Sequence, residues 1–281
     1  MSFSILNNIP AIDAQGYLSN TQNSLQNTLL QLSSGSRINS GADDAAGLAI
    51  ANGLEANITA LNQSANNAND GVGALQVADG ALSQVTTLLN RAVTLATESS
   101  TGTVSSSQRQ ALDAEFTQIK NEITSIGGST TFNGTSVFTA TSTSIFLSDG
   151  VGTTTIGVAV GLLSSGAIAD ATGAGATVNL NNDDLTTAAK AQTALTDING
   201  AIANVAGTRG EIGATVNRLQ ASVNVINTQV QNLTAAEDQI TAANIPQQVS
   251  NLSQYTILEQ TGFAALAQAN SVQQNVLQLL R

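Results

Sequence analysis

Apolar residues recur three and four positions apart along two long stretches of the chain. The first runs from Leu54 through Ile58, Leu61, Ala65, Ala68, Val72, Leu75, Asp79, Leu82, Thr86, Leu89 and Val93 to Ala96, and only Asp79 and Thr86 break it. The second runs through Leu195, Ile198, Ile202, Val205, Arg209, Ile212, Val216, Leu219, Val223, Ile226, Val230, Leu233, Glu237 and Ile240. A register held over several heptads predicts coiled-coil-like helices. Each would be roughly 80 Å long at about 1.5 Å per residue, far beyond an ordinary globular helix. The expected fold class is therefore mainly α: a long helical bundle rod, with Asp79, Arg209 and Glu237 setting register between helices by finding partners.

The two ends repeat the pattern more softly. Residues 1–36 place Leu18, Leu25 and Leu32 seven apart, with Thr21 and Thr28 between them and Asp13 as the single charge. Residues 245–281 carry the register Leu252, Tyr255, Glu259, Gly262, Leu266, Ala269, Gln273, Val276 and Leu280, with Glu259 and Arg281 as the only charges. Gln, Asn, Thr, Ala and Gly near these positions bury little area against about 1 to 2 kcal/mol of backbone entropy per ordered residue. Both ends are thus expected to be disordered in the free monomer and to fold when neighbouring copies supply the missing surface.

Turn chemistry divides the helices. The only prolines, Pro10 and Pro246, fall at the start of the first helix and at the joint before the last one, where Pro246 disfavours helical geometry at Ile245. The matching N-terminal joint is Ser33-Ser-Gly-Ser-Arg-Ile-Asn-Ser-Gly-Ala42, ending where Ser40 and Asp43 suit a capping box. Ser105-Ser-Ser-Gln108 opens a further helix with Leu112, Phe116, Ile119, Ile123 and Ile126 on its apolar face, and Gly127-Gly128 is expected to stop it. Between about residues 129 and 180, the runs Thr131–Phe138, Thr143–Leu147 and Thr153–Val160 are β-branched or aromatic and punctuated by Asn-Gly and Asp-Gly. They predict β-hairpins forming a small antiparallel sheet that caps the bundle.

Composition narrows the chemistry. An aromatic content of 3% with no Trp suits a slender bundle better than a thick core. A net charge of −11, with eight basic residues scattered singly, gives no footprint for nucleic acid or an anionic membrane. The chain has no Cys and no His, so disulfides, thiolate nucleophiles, the usual zinc sites and Ser-His-Asp triads are unavailable. No catalytic residue, cofactor or metal is expected. Arg37 beside Asp43-Asp44 raises a cation site, but two acids at a helix start are more simply stabilised by the helix dipole. Gly71-Val-Gly73 lacks the preceding strand and third glycine of a dinucleotide turn. No run reaches the ~18 apolar residues of a membrane span, and Met1–Asn8 lacks the basic and apolar regions of a signal peptide, so any export is expected by another route.

Stretches towards both ends carry a family resemblance. Leu32-Ser-Ser-Gly-Ser-Arg-Ile-Asn-Ser-Gly-Ala-Asp-Asp-Ala-Ala-Gly-Leu-Ala-Ile50 resembles the N-terminal signature of bacterial flagellins, and Leu266-Ala-Gln-Ala-Asn270 with Gln274-Asn-Val-Leu-Gln-Leu-Leu-Arg281 resembles their ending. The resemblance spans roughly residues 15–140 and 185–281. The chain departs from the pattern at Ala42, where many members have Lys, and over Ile9–Gln15.

The resemblance implies terminal helices at 1–43 and 245–281 forming the inner tube of a filament (D0), with Leu18, Leu25, Leu32, Leu252, Leu266, Val276 and Leu280 in its assembly seams. Residues 44–244 would form the surrounding helical layer with its hairpins (D1). The roughly 45 to 55 residues between Phe138 and the start of the second long helix are too few for a further outer domain. It also implies an extracellular filament subunit exported unfolded by the flagellar type III system. Partners would be identical copies, the flagellar cap and junction proteins, and an export chaperone. Arg91, Leu95 and Glu115 match the surface by which flagellins engage Toll-like receptor 5, a surface that also serves subunit contact, and Thr94 stands where potent members often have an acid. The Ser/Thr-dense stretch 129–155 resembles in composition the segments to which some flagellins attach O-linked sugars.

Two alternatives stay open. A hook–filament junction protein shares flagellin-like termini and differs in being present in few copies. An adhesin or enzyme displayed on the same scaffold is the other, but a zinc protease would need two His on a helix.

Overall fold

The computed structural model describes residues 8–148, 154–168 and 178–279, without the side chains of residues 273 and 275–279. In chain order the elements are α1 (Ile9–Ser34), α2 (Ala45–Ser100), α3 (Ser106–Ser129), β1 (Thr131–Phe132), β2 (Thr135–Ser136), β3 (Thr143–Phe146), β4 (Thr155–Val158), β5 (Leu163–Ser164), β6 (Ala167–Ile168), α4 (Ala188–Thr241) and α5 (Ile245–Leu279). The chain is mainly helical, with small antiparallel hairpins inserted between its helical halves. It divides into two compact units, one of Met1–Ala56 with Asn232–Arg281 and one of Asn57–Gln231.

In the first unit, α1 lies antiparallel to α5. Asn8 Nδ2 donates to Ala269 O at 3.2 Å and Gln22 Nε2 to Glu259 Oε1 at 3.4 Å. The side chain of Leu18 packs beside Gly262, where an added Cβ would come within 3.2 Å of Leu18 Cδ1. Asn8 caps α1 by accepting from Ala11 N, Pro10 occupies its first turn, and Gly35 ends it at φ 71. There the left-handed conformation suits a residue without Cβ. Asn244 Oδ1 accepts from Gln247 N at 3.2 Å, capping α5 just ahead of Pro246.

The second unit holds most of the core. Its part of α2 buries Leu61, Ser64, Ala68, Leu75, Ala78, Leu82, Val85, Leu89, Ala92, Ala96 and Ser99. At Ser64, Ala78, Val85 and Ala92 the buried position lies one residue before the expected one. Ala65, Val72, Asp79, Thr86 and Val93 lie half-buried at the margin, so Asp79 and Thr86 interrupt nothing: the stripe passes through Ala78 and Val85, both 0% exposed. Helix α4 repeats the displacement, burying Ala201 and Thr208 and leaving Ile202 and Arg209 half-buried. The reason is the width of the contact. Partners on more than one side bury a broader stripe than a two-helix seam, and small side chains at its centre let helix axes approach.

Helix α3 opens with the expected capping box, Ser105 accepting from Gln108 N while Gln108 Oε1 accepts from Ser105 N. It does not stop at Gly127-Gly128 but continues to Ser129. Gly127 is buried, and a Cβ there would strike the carbonyl oxygen of Leu163, so this glycine serves the close approach of β5 rather than helix termination. The hairpins form three separate two-stranded ladders among the described residues instead of one sheet: β1–β2, β3–β4 and β5–β6. Asn133 at φ 50 and Gly134 at φ 76 make the β1–β2 turn, as the Asn-Gly pair predicts. The Asp149-Gly150 turn lies outside the described residues.

Candidate functional site

Arg91 on α2 and Glu115 on α3 face each other at the surface. Arg91 Nε donates to Glu115 Oε1 at 2.7 Å and Nη2 to Oε2 at 3.0 Å. The Arg91 hydrogen bond holds the Glu115 carboxyl below its ordinary pKa, and the same bond raises that of Arg91. Leu95, expected beside them as a contact residue, is 1% exposed. One turn beyond Arg91 the helix presents its buried stripe, so Leu95 belongs to the core of this chain and not to its outer surface. Only Arg91 and Glu115 of the three are available to a partner.

The terminal helices carry a different surface. Leu18, against Gly262 of α5, is 8% exposed; Leu25, Leu32, Leu252 and Leu266 are half-buried and Thr28 is 5% exposed. Val276 lies in α5 with its side chain outside the described residues, and Leu280 lies outside them altogether. Away from this contact the pair leaves several large apolar side chains exposed among polar ones. Ile12 is 62% exposed, Tyr17 75%, Ile257 60% and Phe263 52%, and Leu30 and Val249 are also exposed. Solvated helix faces are ordinarily polar, so large apolar side chains left exposed on both helices point to a contact surface.

Next to these helices, the joints the sequence singled out are built as hydrogen-bonded turns. Arg37 Nη2 donates to Ile240 O at 2.7 Å, and Arg37 N to Thr241 O at 2.6 Å. Asp43 Oδ2 accepts from Asn39 N, Ser40 N and Ser40 Oγ, bonds that hold its pKa below the ordinary value. The cap of α2 is Asp44, whose Oδ1 accepts from Gly47 N at 2.8 Å, and not Ser40 with Asp43. These acids are occupied by backbone donors and are not gathered as ligands. Among the described residues, no group of three or more acidic, His or Cys side chains could hold a metal.

Several residues that hold the second unit together escape a sequence reading. Ser64 and Ser99, each at a core position, donate to Ser148 O at 2.8 Å and to Leu185 O at 2.6 Å. They tie the hairpin segment and the entry to α4 onto α2. Gly71, which belongs to no dinucleotide turn, is where Ile145 of β3 seats against α2, and a Cβ there would overlap the Ile145 side chain. No periodic signal distinguishes such a Ser or Gly from its many neighbours of the same type. Asp183 is 8% exposed with Oδ2 unpartnered. Burial first, and then the facing carboxylate of Asp197, push its pKa up to about 6. Lys120 Nζ reaches only its backbone oxygen, at 2.7 Å.

A cleft of about 310 Å³ opens between α2 and the β1–β2 and β3–β4 hairpins, lined by Asp70, Leu75, Phe132, Val137, Ile145 and Val160 among others. Its wall combines the Asp70 carboxylate with Asn133, Ser136 and three threonines beside the apolar side chains. Among the described residues, no helix is long and apolar enough to cross a membrane.

Comparison with known proteins accords with this architecture. The family model for the bacterial flagellin N-terminal helical region matches residues 5–143, and that for the bacterial flagellin C-terminal helical region matches residues 195–280. Flagellin A of Vibrio anguillarum is 42% identical over 134 residues, covering 48% of this chain and 35% of the relative. Flagellin of Salmonella muenchen is 46% identical over 123 residues, covering 44% of this chain and 24% of the relative. The matched stretch thus spans about a third or less of these relatives' length. The crystal structure of Bacillus cereus flagellin is 29% identical with a TM-score of 0.47, covering 61% of this chain and 94% of that one. With both terminal helical regions matched in order and together spanning most of its length, the chain belongs to the bacterial flagellin family.

Proposed function

We propose that this chain is a structural subunit that polymerises into the extracellular flagellar filament used for motility. One observation carries the reading: α1 and α5 bury a single narrow contact against each other and leave Ile12, Tyr17, Ile257 and Phe263 in solvent. Further copies would cover these side chains. Contacts of this kind are heterologous and do not close, so they generate a helical fibre. Residues 1–43 and 245–281 then make the inner D0 layer and residues 44–244 the D1 layer. Export through the flagellar type III system, as an unfolded chain held by a chaperone, suits ends with so little burial of their own. The cap and junction proteins of the flagellum are its remaining assembly partners. The Arg91–Glu115 pair is the part of D1 offered to Toll-like receptor 5 or to a neighbouring subunit.

The test is polymerisation of the full chain beside a Tyr17→Asp/Phe263→Asp variant and a chain cut to residues 44–244, followed by electron microscopy and circular dichroism. Hollow filaments and a gain of helix are expected from the full chain alone. Filaments from the cut chain would remove the role given to the termini. No filaments from any of the three would favour a junction protein, present in few copies per flagellum.

A further inference from the structure

Three Asn-Gly pairs lie in the chain: Asn52-Gly53, Asn133-Gly134 and Asn199-Gly200. Such a pair can react with itself. The main-chain nitrogen of the glycine attacks the side-chain carbonyl carbon of the asparagine, and a residue without Cβ leaves that nitrogen open to close approach. All three asparagines are exposed, so solvent access does not choose between them. The backbone does.

Gly53 and Gly200 lie inside α2 and α4. There each N–H is committed to the carbonyl four residues earlier, and the helical dihedrals hold the nitrogen in that ladder. Asn39-Ser40, in the connector before α2, is held in another way: Ser40 N donates to Asp43 Oδ2 at 2.8 Å and Asn39 Nδ2 to Ser36 O at 3.0 Å. Asn133-Gly134 has neither restraint. The β1–β2 ladder pairs Thr131 with Ser136 and Phe132 with Thr135, so Gly134 N stands in the loop beyond the last pair. Its strands are two residues each, and an isolated hairpin of this size clamps its loop only weakly. Asn133 is also the one non-glycine residue with positive φ among the described residues, so its dihedrals are not those that hold the helical asparagines.

We propose that Asn133 is a site of spontaneous, one-way modification. Gly134 N bonds to Asn133 Cγ, the Cγ–Nδ2 bond breaks, and ammonia leaves with the proton lost from Gly134 N. Water then opens the five-membered imide at either of its carbonyls, and residue 133 becomes Asp or the isomer linked through its side chain. Water is the only co-reactant. Asn133 lines the same cleft as Asp70, so either product brings a second carboxylate to that wall. The isomer also adds one main-chain carbon to a two-residue loop, and loop length sets the register of a hairpin.

Peptide mapping by mass spectrometry tests this on the full chain, kept folded in mildly alkaline buffer made with heavy-oxygen water. Helix interiors react only after local opening, which costs up to the stability of the whole chain, so Asn133 should take up label at least about tenfold faster than Asn52 or Asn199. Asn39 should lag as well, and fragmentation should resolve Asp from its isomer. In urea the three Asn-Gly pairs share one unfolded environment, and their rates should converge, chiefly because Asn52 and Asn199 speed up. Asn133→Gln, whose longer side chain closes a ring less readily, should remove the label at that position with circular dichroism unchanged. The proposal is overturned if Asn133 takes up no label, or if the folded chain labels Asn52 or Asn199 as fast. It is equally overturned if urea accelerates Asn133 as much as those two, since the turn would then be a shield, or if Asn133→Gln still gains label there. No arm depends on filament formation.

Discussion

Arg209 of α4 grips Asp79 of α2 with Nε 2.7 Å from Oδ1 and Nη2 3.3 Å from Oδ2. The residues just before them, Thr208 and Ala78, lie at 2% and 0% exposure in the core. Each charge thus stands at the margin of a buried stripe, and the pair closes across it. Both side chains are more than a third exposed, so solvent screening keeps the gain small. Asp79→Ala and Arg209→Ala should each cost no more than about 1 kcal/mol. A double-mutant cycle in urea should give a coupling of a few tenths of a kcal/mol, shrinking as salt is added. Coupling that is zero at low salt would show that the contact is geometric only.

The displaced stripe makes a sharper prediction. Leu89→Ala, at a fully buried position, should destabilise by about 2 to 5 kcal/mol. Ala78→Leu, also fully buried, should cost about 1 to 3 kcal/mol by overpacking. Val93→Ala, at the half-buried margin, should cost less than Leu89→Ala. Thermal unfolding of the three variants ranks them, and an Ala78→Leu chain as stable as the parent would restore the register expected from the sequence, which leaves Ala78 out.

Asp183 should invert the usual dependence of stability on acid. Its folded pKa, about 6 against an ordinary 3.8, means that the folded chain holds a proton the unfolded chain has released. Stability therefore falls as pH rises from about 4 to 6, and the penalty is complete above 6. At full effect this is up to about 3 kcal/mol. Asp183→Asn should raise stability at pH 7 and flatten the slope in that window, as denaturant midpoints at several pH values would reveal. Glu115 and Asp43, whose pKa values are lowered, act in the opposite sense: their contributions persist above the ordinary carboxylate pKa and are lost as pH falls through the folded values.

Two glycines in helices should respond oppositely to Ala. At Gly127 a Cβ meets the backbone of Leu163, whereas at Gly210 nothing lies within 4 Å. Gly127→Ala should displace β5 and destabilise the chain by a few kcal/mol, in the range of overpacking or beyond. Gly210→Ala should stabilise the isolated chain by up to about 1 kcal/mol through helix propensity. Urea midpoints of the two variants moving in the same direction would contradict the packing at Gly127.

The helices, their joints and their caps were largely legible because they depend on residues close in sequence. Ser105 and Gln108 form a capping box wherever the following residues are helical, and Asn133-Gly134 supplies positive φ on its own. In the ends, Leu18 and Thr28 of α1 are buried and Leu25, Leu32, Leu252 and Leu266 half-buried. The surface around Arg91 was only partly legible. Spacing puts Leu95 one turn from Arg91, but whether that turn faces water depends on what covers it.

The alternation of apolar and polar residues, the capping side chains and the turn pairs therefore established where the helices and hairpins lie and which family signature they carry. Packing decided the rest. Small residues such as Ala78, Ala92, Ala201 and Thr208 became the centre of the core because the broad helix contact rewards close approach, while hydropathy alone favours their larger neighbours. Gly71 and Gly127 acquired their roles from strands far away in sequence, and Asp183 its raised pKa from burial beside Asp197. Such properties depend on which atoms the fold brings together, and a pattern read along the chain carries no term for that.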